Sequence, residues 1–260
     1  MRLIHRTIIS LFFLLTLLSV EIYAQRNSVQ NLPRRDYEKI HFGFVLGANQ
    51  MFFSIKPQND LYQRFFDNTY KSEPIQCDSS KIYGIESTPT NGFTVGIVSN
   101  LRLGNYFDLR FVPSLLFGER YIEYSILRYD SKADEKIKLV NFKTNISSTF
   151  ISLPFTIKYK SKRLNNLRGY VFSGVNFVID LASNAKKKQN NEEIQIRLKK
   201  NDMMLEFGAG FDIYTPFFKF GTEIKIAYGL NDILIRERSI YSAGIDRMNS
   251  KVFQLSFTFE

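Results

Sequence analysis

The chain has 260 residues and a formal net charge of +10. Its single cysteine, Cys77, excludes an intramolecular disulfide. The 25 Phe and 14 Tyr residues enrich it in strong strand formers. The composition therefore favours an all-β protein and excludes a disulfide-stabilised one.

The first predicted element is a cleaved secretory signal over residues 1–24. Basic residues precede an almost wholly apolar run from Ile8 to Val20, and the small Ala24 precedes Gln25. This is the layout of a signal peptide. The apolar run is shorter than the ~20 residues that a membrane-spanning helix needs. An uncleaved N-terminal anchor is the competing interpretation.

Beyond an N-terminal periplasmic segment, residues 25–39, apolar and polar residues alternate in eight segments. In the clearest segment, large apolar side chains share one face, and Thr94, Gly96 and Arg102 lie opposite. A period of two over this length predicts a strand with two chemically different faces. The eight segments are Phe42–Ala48, Phe93–Leu103, Phe107–Phe117, Ile151–Tyr159, Tyr170–Asp180, Leu205–Ile213, Phe218–Tyr228 and Phe253–Phe259.

The segment from Tyr170 to Asp180 has the weakest pattern, because both of its faces are fairly apolar. Here we assign Gly174, Asn176 and Asp180 to the inward face.

The chemistry of the two faces decides between a soluble barrel and a membrane barrel. Charged side chains in a dry core are costly unless each is paired. Turning the large apolar face to lipid and the small and charged face to a polar lumen removes this cost. Only helices and closed barrels satisfy every backbone group in lipid. We therefore predict an eight-stranded antiparallel up-and-down outer-membrane β-barrel over residues 40–260.

The connections between the predicted strands alternate between long and short. Tight turns are predicted at Gly104–Asn105 and Thr215–Pro216, and a short basic link at Lys160–Leu167. Long stretches such as Lys56–Thr90 and Asn231–Ser250 separate them. Bacterial barrels have short periplasmic turns and long external loops, so both termini are predicted to be periplasmic.

An eight-stranded barrel has an interior just wide enough for side chains to fill. We therefore predict a filled lumen with a packed network of ion pairs and hydrogen bonds; a narrow ion pore is the alternative. The predicted lumen-facing residues are Arg102, Asp108, Arg110, Lys158, Glu206, Asp212, Glu223 and Lys225.

Catalysis is not expected. Ser-His or Asp-His chemistry needs a positioned imidazole, but His5 lies in the predicted signal and His41 at the periplasmic entrance of the first strand. Few His and Cys residues argue against a zinc site. Gly208 and Gly210 are alternating strand residues rather than a phosphate-binding loop. We expect no enzymatic activity and no cofactor.

An external basic loop has two interpretations. It is either an ordinary solvated loop or a surface that contacts lipopolysaccharide phosphates or an acidic partner through salt-dependent attraction. Nucleic acid is not expected as a partner outside the cell. Cys77 is likewise either an unremarkable loop residue or an intermolecular thiol. The basic residues of the loop are Lys186, Lys187, Lys188, Arg197, Lys199 and Lys200.

Several loop, turn and strand-end segments carry a family resemblance: Lys39–Phe44, Leu46–Gly47, Glu86–Phe93, Leu101–Gly104, Asp108–Ser114, Lys160–Asn166, Asp180–Ser183, Tyr228–Asn231, Ile245–Ser250 and Leu255–Glu260. Together they resemble the PorT family of type IX secretion proteins. The stretches Asn59–Ser80 and Lys186–Glu193 depart from this resemblance and have the character of variable external loops.

The resemblance implies an outer-membrane barrel required for export of folded cargo, with other secretion-system subunits as partners. It supplies no catalytic residues. The predicted function is therefore a non-enzymatic component of a type IX-like secretion apparatus that binds or scaffolds other translocon subunits. The alternatives are a generic small structural barrel of the outer membrane and a narrow pore or ligand receptor.

Overall fold

A computed structural model describes most of the chain. The described residues are 29–67, 69–70, 78–131, 136–183 and 196–260. The predicted signal peptide, Cys77 and Lys186–Lys188 lie outside them.

The described residues form strands and two very short helices. The strands are β1 (Ile40–Pro57), β2 (Phe66–Asp67), β3 (Ser79–Thr88), β4 (Thr90–Arg102), β5 (Phe107–Phe111), β6 (Ser114–Tyr129), β7 (Ile137–Lys160), β8 (Leu167–Asp180), β9 (Arg197–Leu198), β10 (Asn201–Tyr214), β11 (Lys219–Gly229), β12 (Leu234–Ile235) and β13 (Ile245–Phe259). The helices are a 3-10 helix over Arg35–Tyr37 and α1 over Ile240–Ala243. No helix of the described residues has the length and apolar character of a membrane span.

The predicted eight-stranded antiparallel barrel is confirmed. The order of strands around the ring is β1, β4, β5/β6, β7, β8, β10, β11 and β13, where β5 and β6 share one position. β13 then pairs with β1 and closes the ring. At this closure Phe44 lies opposite Phe259. β5 and β6 together supply one barrel strand, interrupted at Val112–Pro113. Proline has no N–H to donate to a ladder, and the Pro113 carbonyl instead accepts from the Ile97 N–H at 3.0 Å.

The predicted facing of the strands is also confirmed. The large apolar side chains of the predicted lipid face are exposed on the barrel surface, and several stack across strands; Phe111 lies 4.6 Å from Phe155 between ring centroids. The exposed residues that were predicted to face lipid are Phe42, Phe44, Leu46, Phe93, Val95, Ile97, Leu101, Leu103, Phe107, Leu109, Leu115, Phe155, Ile157, Tyr159, Phe207, Phe211, Ile213, Phe218, Ile224, Ile226, Tyr228, Phe253, Leu255 and Phe257.

Two stretches expected to be long external loops contain strands. β7 has 24 residues, more than twice the ~9–11 with which a tilted strand crosses a membrane. Its outer part pairs with β6 as far as Tyr129 opposite Ile137, and β3 pairs with the other edge of β6. The outward face of this extension carries polar pairs such as Glu123–Lys143, so the alternation of lipid-facing apolar residues does not reveal it.

At the end of the barrel with the long connections, this sheet and those connections enclose an apolar core. We call it the extracellular cap, because the long connections of bacterial barrels are external. Within it, the Tyr124 hydroxyl donates to the Tyr241 carbonyl at 3.1 Å, and their ring centroids lie 5.2 Å apart. The buried residues of the cap are Phe53, Leu61, Phe66, Ile82, Ile122, Tyr124, Ile126, Ile196, Leu198, Ile233, Leu234, Ile240, Tyr241, Ile245 and Met248.

Candidate functional site in the barrel interior

The centre of the lumen holds two ion pairs joined by one tyrosine. Arg110 donates to the Glu223 carboxylate, which also accepts from the Tyr170 hydroxyl at 2.8 Å. Lys158 Nζ lies 2.9 Å from Asp212 Oδ2 and 3.4 Å from the centroid of the Tyr170 ring. All five side chains are buried. Each charge therefore has the partner that a buried charge requires.

A second cluster extends this network along β8 and β10. Lys225 Nζ lies 3.1 Å from Glu206 Oε1. The same carboxylate oxygen accepts from Asn176 Nδ2 at 2.6 Å, and the Asn176 amide also exchanges hydrogen bonds with Ser152. The structure thus brings six of the predicted lumen residues into contact with an oppositely charged partner from the prediction: Arg110, Lys158, Glu206, Asp212, Glu223 and Lys225.

The prediction that Arg102 belongs to this network is wrong. Arg102 ends β4 beside the tight turn, where its guanidinium donates to the Gly104 carbonyl at 3.1 Å and to Asn105 Oδ1 at 2.8 Å. It also lies over the Tyr37 ring, 5.5 Å from its centroid. A long side chain at the end of a strand bends to the nearest acceptors at the mouth, so period-two parity alone did not fix its position.

Several buried charged residues of the described lumen were not among the predicted network residues, including Lys160, Lys219 and Glu260. Asp108, which was predicted, pairs with Lys160 at 2.7 Å rather than with another predicted residue. Lys219 and Glu260 pair at 2.6 Å, and both are buried. Lys160 and Lys219 have inward parity at strand ends, and that parity was the signal by which they could have been found.

An apolar layer closes the lumen between the polar network and the extracellular cap. Its members are inward-facing residues of seven barrel strands, and all are buried: Met51, Leu116, Phe150, Val178, Met204, Ala227 and Val252. The sequence analysis predicted a polar lumen. The described interior instead has a polar network and, next to it, an apolar layer. Sequence parity places these residues inward, but their meeting at one level depends on the register between strands.

A buried charged pair lies above this layer in the described part of the lumen. Arg120 contacts Asp180 at 3.0 Å, with both side chains buried. Its guanidinium also donates to Ser148 at 2.7 Å and to Ser250 at 3.3 Å. The Phe150 ring centroid lies 4.9 Å from Arg120 Cζ, so the guanidinium also contacts an aromatic face.

In the described part of the chain, a small polar cavity lies in the lumen beside the central network. Its volume is about 20 Å³, and Arg110, Gln254 and Lys225 are among its lining residues. A water needs at least ~10–15 Å³ of such space. Arg110 Nε and Nη2 and Gln254 Oε1 are buried and have no protein partner among the described residues. The cavity thus has the size and the polar groups to hold one water, but not to pass ions.

The mouth at the end with the short turns, which we call periplasmic because short turns of bacterial barrels are periplasmic, is held by the segment Asn31–Tyr37. We call this segment the N-terminal latch. Arg168 donates to both carboxylate oxygens of Asp36, at 2.9 and 3.1 Å. The Tyr214 hydroxyl donates to Asp36 at 2.8 Å, and Arg163 lies 3.4 Å away. Burial opposes ionisation of Asp36, but Tyr214 and the two guanidinium groups outweigh it and lower its pKa below the usual value.

A second set of contacts fixes the start of the latch. Asn31 accepts from Arg163 through its carbonyl, and its backbone N–H donates to Asn166 Oδ1 at 2.9 Å. Its side-chain amide donates to the Tyr214 carbonyl at 2.9 Å. Leu32 has φ of 51°, a conformation rare for a bulky residue, so these contacts hold the latch in an otherwise unfavourable turn.

Part of the predicted basic loop lies in the described residues. Arg197 pairs with Glu237 at 2.7 Å, and Lys199 donates to the Asp232 carbonyl at 2.7 Å. Lys200 is exposed. Two of these cations thus hold the external connections together, and contact of this loop with lipopolysaccharide phosphates stays a prediction.

A model of the outer membrane protein β-barrel domain family matches residues 23–234. The chain belongs to this family. It is therefore a protein of the outer membrane. No curated protein matches the sequence.

Solved outer-membrane proteins resemble the chain at low identity. Neisserial surface protein A matches at 12% identity and a TM-score of 0.40, over 85% of this chain and 99% of that one. OprG from Pseudomonas aeruginosa matches at 12% identity and a TM-score of 0.37, over 85% and 96%. Ail of Yersinia pestis, solved with the heparin analogue sucrose octasulfate, matches at 11% identity and a TM-score of 0.31, over 85% and 98%.

Proposed function

We propose that this protein is a non-enzymatic, non-conducting barrel that anchors a rigid extracellular cap in the outer membrane. The observation that carries the proposal is the continuity of packing from the periplasmic mouth to the cap. The latch, the ion-pair network and the apolar layer follow one another along the lumen, and the buried Arg120–Asp180 pair joins the last of them to the cap.

The filled lumen argues against a pore. An ion would have to pass between Arg110 and Glu223, whose side chains are 2% and 7% exposed, and then through a wholly apolar layer. Breaking a buried pair by displacing one partner is strongly unfavourable, and an apolar constriction excludes hydrated ions by dewetting.

The cap argues for a role at the cell surface. Its core joins residues as distant in the chain as Phe53 and Met248. Several of them lie on strands that continue directly out of the membrane, such as β6 and β7. The cap is therefore attached to the barrel by paired backbone rather than by separate loops, and it holds a fixed surface toward the exterior.

Planar-bilayer conductance of the purified full-length protein tests the proposal. We expect no steady open channels from the wild type. The double variant Arg110→Ser, Glu223→Ser, which removes the central pair, is expected to produce more conducting events than Glu123→Ser, Lys143→Ser, which removes an exposed pair of the cap. Steady wild-type channels would overturn the filled-lumen proposal.

A second candidate is a scaffolding role in a type IX-like secretion apparatus. It rests on the resemblance of segments such as Lys160–Asn166 to the PorT family. That segment includes Arg163 and lies at the periplasmic mouth beside the latch, where periplasmic subunits can reach it, which supports this role.

Deletion of the gene, with quantitative comparison of secreted, periplasmic and outer-membrane proteins, separates the two candidates. Accumulation of a defined set of cargo proteins in the periplasm, with other barrels at normal levels, is expected for a secretion component. Unchanged secretion with a weakened outer membrane is expected for a structural barrel alone.

A further inference from the structure

An apolar groove runs along the lipid-facing wall of the barrel, across β7, β8, β10 and β11. Its volume is about 570 Å³. Small outward residues form its floor: Gly169, Ala209 and Thr222. Large side chains form its walls: Tyr159, Phe211 and Ile224.

The register between the strands explains the groove. Ala209 lies opposite Val171 on one side and Ile224 on the other, and Phe211 lies opposite Gly169. Elsewhere on the same lipid face, facing positions are filled by paired rings; Phe93 and Phe117, for example, stack at 4.7 Å between centroids. The wall is therefore recessed at this point because small side chains stand where rings stand elsewhere.

The groove opens toward the periplasmic side. One of its lining residues is Ser161, which follows the last residue of β7, and the nearby strand β10 ends at Tyr214. Short links mark the periplasmic edge of an outer-membrane barrel. The groove thus lies in the part of the membrane that the inner leaflet occupies, with its end at the level of the phospholipid headgroups.

The periplasmic rim beside this end is strongly basic. Residues 31–39, 102–106, 161–168 and 215–218 contain seven cationic side chains and two acidic ones. The cationic residues are Arg34, Arg35, Lys39, Arg102, Lys162, Arg163 and Arg168. Asp36 is shared by Arg163 and Arg168, so the rim retains an excess of positive charge. Lys162 is exposed and directly follows Ser161.

We propose that the groove and the basic rim together bind an anionic phospholipid of the inner leaflet. One acyl chain lies in the groove against Ala209, and the headgroup phosphate pairs with Lys162. An apolar groove immersed in hydrocarbon has an acyl chain as its natural occupant, and basic clusters at a membrane surface attract anionic headgroups. This inference does not depend on the proposed function.

The acyl-chain contact is tested by filling the groove. The full-length protein is incubated with vesicles of equal parts phosphatidylglycerol and phosphatidylethanolamine and then extracted in mild detergent. Native mass spectrometry measures the phospholipid that stays bound to the protein. Ala209→Phe is expected to lower the retained phospholipid several-fold. Ala48→Phe, which places the same ring at another exposed alanine of the lipid face, is expected to retain as much as the wild type. Equal retention by both variants would overturn the proposal.

The headgroup contact is tested by charge reversal. Lys162→Glu is expected to abolish the preference for phosphatidylglycerol over phosphatidylethanolamine, whereas Lys200→Glu, on the external side, is expected to keep it. Equal retention of the two lipids by the wild type would overturn the anionic assignment. The wild type could instead form a dimer that Ala209→Phe dissociates, with the amount of retained lipid unchanged. That result would overturn the lipid assignment and identify a second copy of the chain as the occupant.

Discussion

Arg120 and Asp180 meet inside the barrel at 3.0 Å, with side chains only 2% and 6% exposed. They are the charged pair between the apolar layer of the lumen and the core of the extracellular cap. The Phe53 and Phe150 rings lie 4.3 and 4.9 Å from the guanidinium. Both side chains are shielded from water, so each charge has the other as its compensating partner.

Arg120→Leu is therefore expected to destabilise the barrel by about 3–5 kcal/mol, because it leaves the buried Asp180 carboxylate without its cationic partner. Urea-induced unfolding in lipid vesicles measures this change. The control is Lys143→Leu in the exposed pair with Glu123, for which about 0–1 kcal/mol is expected. Equal decreases in the free energy of unfolding of the two variants would contradict the conclusion that Arg120 stabilises the barrel through a buried ion pair.

Phe111→Arg tests the outward facing of β5. The Phe111 ring stacks on Phe155 at 4.6 Å between centroids. A charge on the lipid face near the midplane is expected to cost about 2–4 kcal/mol. An unchanged free energy of unfolding would show that this position does not face hydrocarbon.

Gly208→Arg tests the inward facing of β10. A side chain added at Gly208 would meet the Phe172 ring and the Ile224 carbonyl, so it is expected to disturb lumen packing rather than contact with lipid. Its loss of stability should therefore not change between vesicles with thin and thick hydrocarbon layers, whereas that of Phe111→Arg should depend on thickness. The same dependence for both variants would contradict the facing of Gly208.

Replacing Phe257 and Phe259 together by Ala is expected to impair closure of the barrel. Phe259 stacks on Phe44 at 4.9 Å, and Phe257 on Phe220 at 5.8 Å, and each such pair contributes about 0.5–1.5 kcal/mol. The folded fraction on semi-native gels measures closure. The matched control replaces two exposed rings of neighbouring strands, Phe177 and Phe207, by Ala. A normal folded fraction of the Phe257 and Phe259 variant would count against a role of its two rings in closure.

Asp36→Asn tests the N-terminal latch through its pH dependence. The folded-state pKa of Asp36 is lowered, so its stabilisation is fully present above the unfolded pKa of ~3.9 and is lost as the pH falls through the lower folded value. At neutral pH the variant is expected to be about 1–2 kcal/mol less stable than the wild type. Urea unfolding across this pH range should show that the difference in free energy of unfolding between variant and wild type becomes smaller in acid. A difference that stays constant would contradict stabilisation of the latch by ionised Asp36.

The barrel itself was predictable from the sequence, because lipid imposes one apolar face on every spanning strand. Period-two parity placed residues such as Arg110 and Glu223 inward without any structural information. Parity does not give register, however, and the partner of a buried charge depends on register. Asp108 therefore pairs with Lys160, which the sequence analysis left out, and Arg102 turns to the nearby backbone.

The extracellular cap was not predictable in the same way. The extension of β6 keeps its alternation outside the membrane, with Ile122 and Tyr124 inward and Glu123 outward. Because its outward residues are polar, the pattern resembles a soluble sheet rather than a spanning strand. Its burial depends on contacts with residues more than 100 positions away, such as Tyr241.

The cap also bears on how the barrel enters the membrane. Its core residues have to cross the bilayer as an unfolded chain, since a folded cap is too large to pass through an interior of eight strands. Once outside, they bury their apolar side chains against one another, and a return would require that core to unfold first. The folded core of the cap therefore opposes withdrawal of the strands back through the bilayer.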